Sequence, residues 1–396
     1  MADEQRTVPE PAKPALWRRP AVRSLVFQIL LVAGIGFFGY TIFQNTLHNM
    51  EQRGISTGFG FLENEAGFGI LMTLIPFNET YTYGRTFLVG LLNTLLVASL
   101  GIFFATIIGF VMGVARLSRN WIISRMATIY IEVFRNIPLL LQIMFWYFAV
   151  LRPLPGPRQS MVFNDTLFLS NRGLYMPSPV YEQGFWLVIV ALVVAIVASI
   201  LVIRWAHKRQ EATGEQFHSV YASIGLVIGL PLLTFFMMGM PLSWDFPVLQ
   251  RFNMAGGMVI IPELAALLVA LSIYTGAFIA EAVRSGILAV SHGQTEAARA
   301  LGLRPGPTLR LVIIPQALRV IIPQLTSQYL NLTKNSSLAT AIGYPDLVAV
   351  FAGTTLNQTG QAVEVIAMTM AVYLAISLTI SLFMNWYNKR IQLVER

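Results

Sequence analysis

Long apolar runs broken by short polar segments dominate the chain, and a run of about 20 apolar residues is what an α-helix needs to cross a bilayer. Eight such runs occur, at residues 24–43, 86–115, 126–151, 184–203, 220–240, 259–280, 320–343 and 365–387. The third contains Glu132 and Arg135, and the sixth contains Glu263. The seventh is the least apolar. Along it Gln324, Gln328, Asn331 and Asn335 recur four, three and four apart, with Ser327 and Lys334 beside them, while Ile322, Leu325, Tyr329 and Leu332 keep an apolar face opposite. A helix divided in this way turns its polar side to a bundle interior or a translocation path. The pattern predicts an all-α integral membrane protein of about eight transmembrane helices, with a short helix between the sixth and seventh.

The first 23 residues, rich in Pro and charge, read as a disordered cytoplasmic tail. Residues 24–43 read as an extra N-terminal transmembrane helix; a cleaved leader would want a small-x-small site, which is missing. Residues 86–387 form the transmembrane core. Within it, about 152–258 is an inserted loop plus a two-helix segment, its Pro-rich part at 152–183 an outer loop or flap. Residues 388–396 form a cytoplasmic C-terminal tail. No internal repeat is evident, which argues against a carrier built from inverted halves.

Composition agrees: 55% of residues are hydrophobic and 12% charged, against about 25% charged in a soluble domain. The net charge of +8 would suit nucleic acid, but its placement speaks for topology. With the N-terminus in the cytoplasm, nineteen Lys and Arg fall on inner segments and six outside, at Arg53, Arg85, Arg152, Arg158, Arg172 and Arg251. There is no Cys, and the four His are dispersed at 48, 207, 218 and 292, so no metal site is expected.

Between the sixth and seventh runs, on the cytoplasmic side, lies EAARALGLRPGP at 296–307. Ser291 and Gln294 have the S-x-x-Q spacing of a capping box, Gly302 supplies a stop, and Pro305 and Pro307 keep the chain from continuing. The expected helix has about ten residues, with Ala297 and Leu301 stacked and Ala298 beside them. Spacing alone fits a plain loop helix equally well. Glu296, Ala297, Ala298, Gly302, Val312, Ile314 and Pro315, however, fall at the positions of the EAA coupling-loop signature, and the stretch resembles that of importer-type ATP-binding-cassette permeases. The resemblance implies a coupling helix, including Leu301, that docks on a nucleotide-binding subunit. None of the four Lys, at 13, 208, 334 and 389, follows a Gly, so the chain carries no P-loop. ATP and Mg are expected on a partner ATPase, and this chain is expected to be neither an enzyme nor a cofactor binder.

EVFRNIPLLLQ at 132–142 and NLTKNSSL at 331–338 resemble stretches of the polar amino-acid permeases, the histidine, glutamine and arginine importer-like subfamily. That resemblance implies a substrate path along Asn136, Pro138, Gln142, Asn331, Lys334, Asn335, Ser336 and Ser337. A charge at mid-membrane costs about 2.5–3.5 kcal/mol on insertion scales, so Lys334 needs a partner or a wet cavity. Structural readings stand beside the functional ones. Lys334 can snorkel from the cytoplasmic third of its span, Glu132 and Arg135 can pair at i, i+3, and Pro138 can be a kink. Glu281 and Arg284 are read as anchors of the coupling loop.

The length, the extra N-terminal span and the insertion make the chain similar to the larger permease subunit of a general L-amino-acid importer. Such a system implies a second homologous permease in a heterodimer, ATP-binding subunits and a periplasmic binding protein, in a bacterial inner membrane with both termini cytoplasmic. An ion- or proton-coupled amino-acid carrier is the alternative; it explains Lys334 and Glu132 but gives the EAA spacing no purpose. A membrane-embedded enzyme would need converging acids, and Glu132, Glu263 and Glu281 do not converge in sequence.

Overall fold

A computed structural model describes residues 20–52, 57–251 and 253–391; most of the N-terminal tail and the last five residues lie outside it. Helix α1, Pro20–Gln52, stands exposed along its apolar window. Helix α2, Tyr83–Arg116, follows, then α3, Trp121–Asn136, and α4, Leu139–Met144, which runs on as wide π turns through Leu151. The third apolar run is therefore not one straight span: α3 and its continuation meet at 105°. Pro138 disfavours helical backbone at the residue before it, and Ile137 is extended, at φ −98° and ψ 126°.

The insertion carries β structure that the apolar pattern did not show. Strands β1 Met161–Phe163, β2 Leu167–Ser170, β3 Gly173–Met176 and β4 Ser178–Tyr181 precede helices α5, Phe185–Thr213, and α6, Ser219–Met237. Strands β5 Leu242–Asp245, β6 Val248–Gln250, β7 Asn253–Ala255 and β8 Met258–Ile260 follow them. The sheet order β1-β2-β3-β8 and the β4–β5 pair are antiparallel and join the two flanks of the α5–α6 hairpin. The fold is helical, with a small β layer over one membrane face. Helix α5 turns Ala191, Ala195 and Ser199 inward, the small residues that let two membrane helices approach closely.

Helix α7, Pro262–Leu288, is the centre of the bundle. It leads to α8, His292–Ala300, then α9, Pro305–Thr308, a π turn, and α10, Ile314–Asn335. A 3₁₀ segment, Ser336–Ile342, a second π segment, Val348–Thr355, and α11, Leu356–Thr359, lead to α12, Ala362–Ile391. The core joins Leu267, Leu271 and Ile279 of α7 to Ile321, Ile322, Leu325 and Leu332 of α10. Between helices in lipid, close van der Waals packing replaces the hydrophobic drive. Gly113 of α2 shows how close: a Cβ there would stand 2.7 Å from the carbonyl oxygen of Ala280.

Candidate coupling helix and translocation face

Helix α8 starts one residue after Ser291, but without the expected capping box: Ser291 makes no side-chain cap bond. Gln294 instead accepts from Gln316 Nε2 at 3.2 Å, tying α8 to α10. At the other end Gly302 takes φ +76°, and the Leu303 N–H donates to the Ala298 oxygen at 3.0 Å, the bond of a glycine-terminated helix. Leu301 already lies past the last helical residue, so Ala297 and Leu301 do not form a packed pair; both are exposed, Leu301 at 82%. Ala298 alone of this group is buried, at 3%. Pro305 does not end the helical path: it opens α9 at N1, where its missing N–H is harmless, and the rod runs on into α10. Pro315 likewise sits in the first turn of α10. The result is a short helix fixed by one alanine and one amide pair, presenting Glu296, Ala297 and Leu301 outward.

Above α8, Arg116 of α2 joins three helices. Its Nη1 is 2.6 Å from Glu281 Oε2 on α7, and its Nη2 is 3.4 Å from Glu132 Oε1 on α3. Arg284 closes on Glu281 at 2.6 Å. Glu132 therefore pairs with the neighbouring helix and not with Arg135, whose guanidinium lies over Phe278, 5.1 Å from the ring centre. Glu281 and Arg284 anchor α7 to α2, one helix away from the predicted loop contact.

The polar stripe of α10 is open, while Ile322, Leu325 and Leu332 are buried on the opposite side. A cavity of about 200 Å³ lies between Tyr274, Thr275 and Phe278 of α7 and Gln328, Asn331, Lys334 and Asn335 of α10. Lys334 is exposed there. Leu332, two residues earlier, packs at Gly101, midway along α2, so Lys334 lies at mid-depth and not in the third of the span nearest α8. Ser336 is fully buried and donates to the Thr333 oxygen at 2.7 Å; Ser337 donates to the Lys334 oxygen at 2.7 Å. Both hydroxyls are occupied by their own helix.

The other predicted path residues surround the break between α3 and α4. Asn136 Nδ2 donates to the Glu132 oxygen at 2.7 Å. Gln142, buried, donates from Nε2 to the oxygens of Phe134 at 3.0 Å and Ile137 at 2.9 Å, satisfying carbonyls that the end of α3 leaves open. Its own Oε1 is buried without a donor. Pro138 begins the turn into α4. None of these three lines the cavity beside Lys334, whereas Tyr274 and Phe278, absent from the sequence expectations, do. Their i, i+4 spacing one turn before Glu281 is the signal that would have found them.

The family described as "Binding-protein-dependent transport system inner membrane component" matches residues 220–393. The chain is 61% identical over 378 residues to the putative amino-acid ABC transporter permease protein YhdX of Escherichia coli, covering 95% of this chain and 96% of that protein. It is 55% identical to the general L-amino acid transport system permease protein AapQ of Rhizobium johnstonii, covering 95% and 94%. It is 44% identical to the glutamate/glutamine/aspartate/asparagine transport system permease protein BztB of Rhodobacter capsulatus, covering 94% and 95%. With a multi-pass helical bundle, an exposed EAA helix and near full-length identity to such permeases, the chain belongs to the binding-protein-dependent inner-membrane permeases of ATP-binding-cassette transporters.

Proposed function

We propose that this chain is the permease subunit of a general L-amino-acid importer in a bacterial inner membrane, with both termini and α8 in the cytoplasm and the β layer outside. Its partners are ATP-binding subunits, which hold ATP and Mg, a second homologous permease and a periplasmic binding protein that delivers the amino acid. The observation that carries the reading is α8. An 82% exposed leucine and a run of small residues on a well-stopped helix suit insertion into a cleft of another subunit.

The geometry supports alternating access. Helix α8 hangs between the end of α7 and the start of the α9–α10 rod, so a displacement of α8 acts on both helices that line the Lys334 cavity. ATP must bind the closed arrangement better than the open one, because a ligand equal in both states shifts nothing. A wet face formed by Gln328, Asn331 and Lys334 cannot be turned to hydrocarbon without cost; against a second permease it forms a path. The Lys334 ammonium suits the substrate carboxylate.

Reconstitution with the ATPase, the partner permease and the binding protein tests this. Glu296→Arg and Gly302→Val are expected to abolish ATPase co-purification or amino-acid-stimulated hydrolysis while the membrane chain stays folded. Substrate uptake by this chain alone in liposomes, unchanged by either substitution, would establish the ion- or proton-coupled carrier instead.

A further inference from the structure

We propose that the cavity between the β layer and the start of α7 is a second substrate site, which takes a free α-amino acid on the β face by both its carboxylate and its ammonium. The identity of the ligand rests on the importer reading; the site itself rests on charge and geometry.

The cavity holds about 380 Å³, within the range of about 300–1,000 Å³ that small-molecule sites occupy. Arg152, at the end of the π turns after α4, and Arg172, in the turn between β2 and β3, line it with Tyr175, Asn253 and Glu263. Glu263 sits in the first turn of α7, where the helix dipole favours a carboxylate. Its Oε1 accepts from Tyr147 at 2.8 Å; its Oε2 is closed off from solvent and has no donor. A carboxylate oxygen in that state is costly until a donor arrives. Glu263 nevertheless lines the cavity, so its carboxylate forms part of the wall that a ligand would meet.

Among the described residues no carboxylate lies within 4.0 Å of Arg152 or Arg172, and Glu263 has no cation at that distance. Charges of both signs thus share one cavity wall without pairing. A molecule bearing a carboxylate and an ammonium a few ångströms apart satisfies all of them: the planar guanidinium fork fits the carboxylate, and the Glu263 carboxylate receives the ammonium. Two cations against one anion disfavour a basic side chain on the ligand and accept an amide or acid. Arg172, Tyr175 and Asn253 all come from the insertion, so the β structure around α5 and α6 acquires a role as the wall of an outer site.

The test is equilibrium dialysis of radiolabelled L-glutamine against the purified permease–ATPase complex, without binding protein or nucleotide. One binding component is expected to weaken at least tenfold in Glu263→Gln and in Arg172→Gln, with L-glutamate competing better than L-lysine. Arg172 is on an exposed turn, so that variant keeps the test valid where Glu263→Gln fails to fold. Binding equal to wild type in both variants, or no L-glutamine bound by wild type, overturns the site. Weakened capture of the binding protein with unchanged L-glutamine binding also overturns it, and makes the cavity a docking surface. Uptake with the binding protein, run in parallel on wild-type proteoliposomes, separates the two readings. Uptake without dialysis binding refutes this site alone; the loss of both refutes the importer as well.

Discussion

Arg116 and Glu281, 165 positions apart in sequence, meet at 2.6 Å and fasten the last turn of α2 to α7. Arg284 shares the same carboxylate. Replacing Glu281 by Gln leaves the Arg116 and Arg284 guanidiniums adjacent, with only the more exposed Glu132, 3.4 Å from Arg116, to oppose them. Removing one partner of a fully buried pair costs about 3–5 kcal/mol; at 24% exposure of the Glu281 side chain, solvent screening reduces this to about 1–3 kcal/mol. The thermal midpoint in detergent should fall accordingly. Glu132→Gln, at 54% exposure and 3.4 Å from Arg116, should stay within about 0.5 kcal/mol. Equal effects of the two would mean that Arg116 does not distinguish its two carboxylates.

The α2–α7 contact gives a steric prediction. A Cβ at Gly113 would lie 2.7 Å from the Ala280 oxygen and 2.8 Å from the Val283 Cβ, and overpacking of this kind costs about 1–3 kcal/mol. Gly113→Ala should therefore lower the thermal midpoint. Gly34→Ala on α1, with no atom within 4 Å of the added Cβ, should leave stability unchanged or raise it by up to about 1 kcal/mol, because Ala is the better helix former. An unaffected Gly113→Ala would show that α2 and α7 separate more readily than this packing allows.

Gln142 separates a structural from a transport role. Gln142→Leu keeps the bulk and removes two bonds to carbonyls at the end of α3; these acceptors are only part-buried, so stranding them costs about 1 kcal/mol, the lower end of the range for buried groups. Stability and uptake should fall together. Loss of uptake with an unshifted thermal midpoint would instead return Gln142 to the substrate path.

Sequence pattern alone was enough for what local chemistry controls. The stop of α8 at Gly302 and the division of α10 into a buried Leu325–Leu332 face and an open Asn331–Lys334 face follow from spacing within one segment; α8 also starts after Ser291, but without the side-chain cap that the S-x-x-Q spacing predicts. Tertiary competition stayed hidden. Glu132 had a helical neighbour of opposite charge at Arg135, yet Arg116 of another helix takes it. The short strands pair across the α5–α6 hairpin, Tyr175 with Val259 for example, and three or four residues among prolines leave no alternation to read. At Pro138 a kink was legible, but its size depends on Gln142 folding back to satisfy the carbonyls that the break exposes.

Lys334 carries the sharpest prediction. It sits at mid-depth beside Tyr274 and Phe278, in a small cavity, with no acid within 4.0 Å among the described residues. A cation held there for structure would have a partner; one held for substrate would not until substrate comes. Lys334→Met removes a charge that costs about 2.5–3.5 kcal/mol to place at the centre of a bilayer, so the thermal midpoint should hold or rise. Uptake by reconstituted transporter should drop at least about tenfold, the loss expected when about 1.4 kcal/mol of substrate or transition-state interaction is removed. Lys334→Arg keeps the charge but changes its shape, and should recover part of the uptake. If Lys334→Met transports normally and melts earlier, the lysine serves the packing of α10 against a neighbour, and the carboxylate of the substrate must be met elsewhere along Gln328 and Asn331.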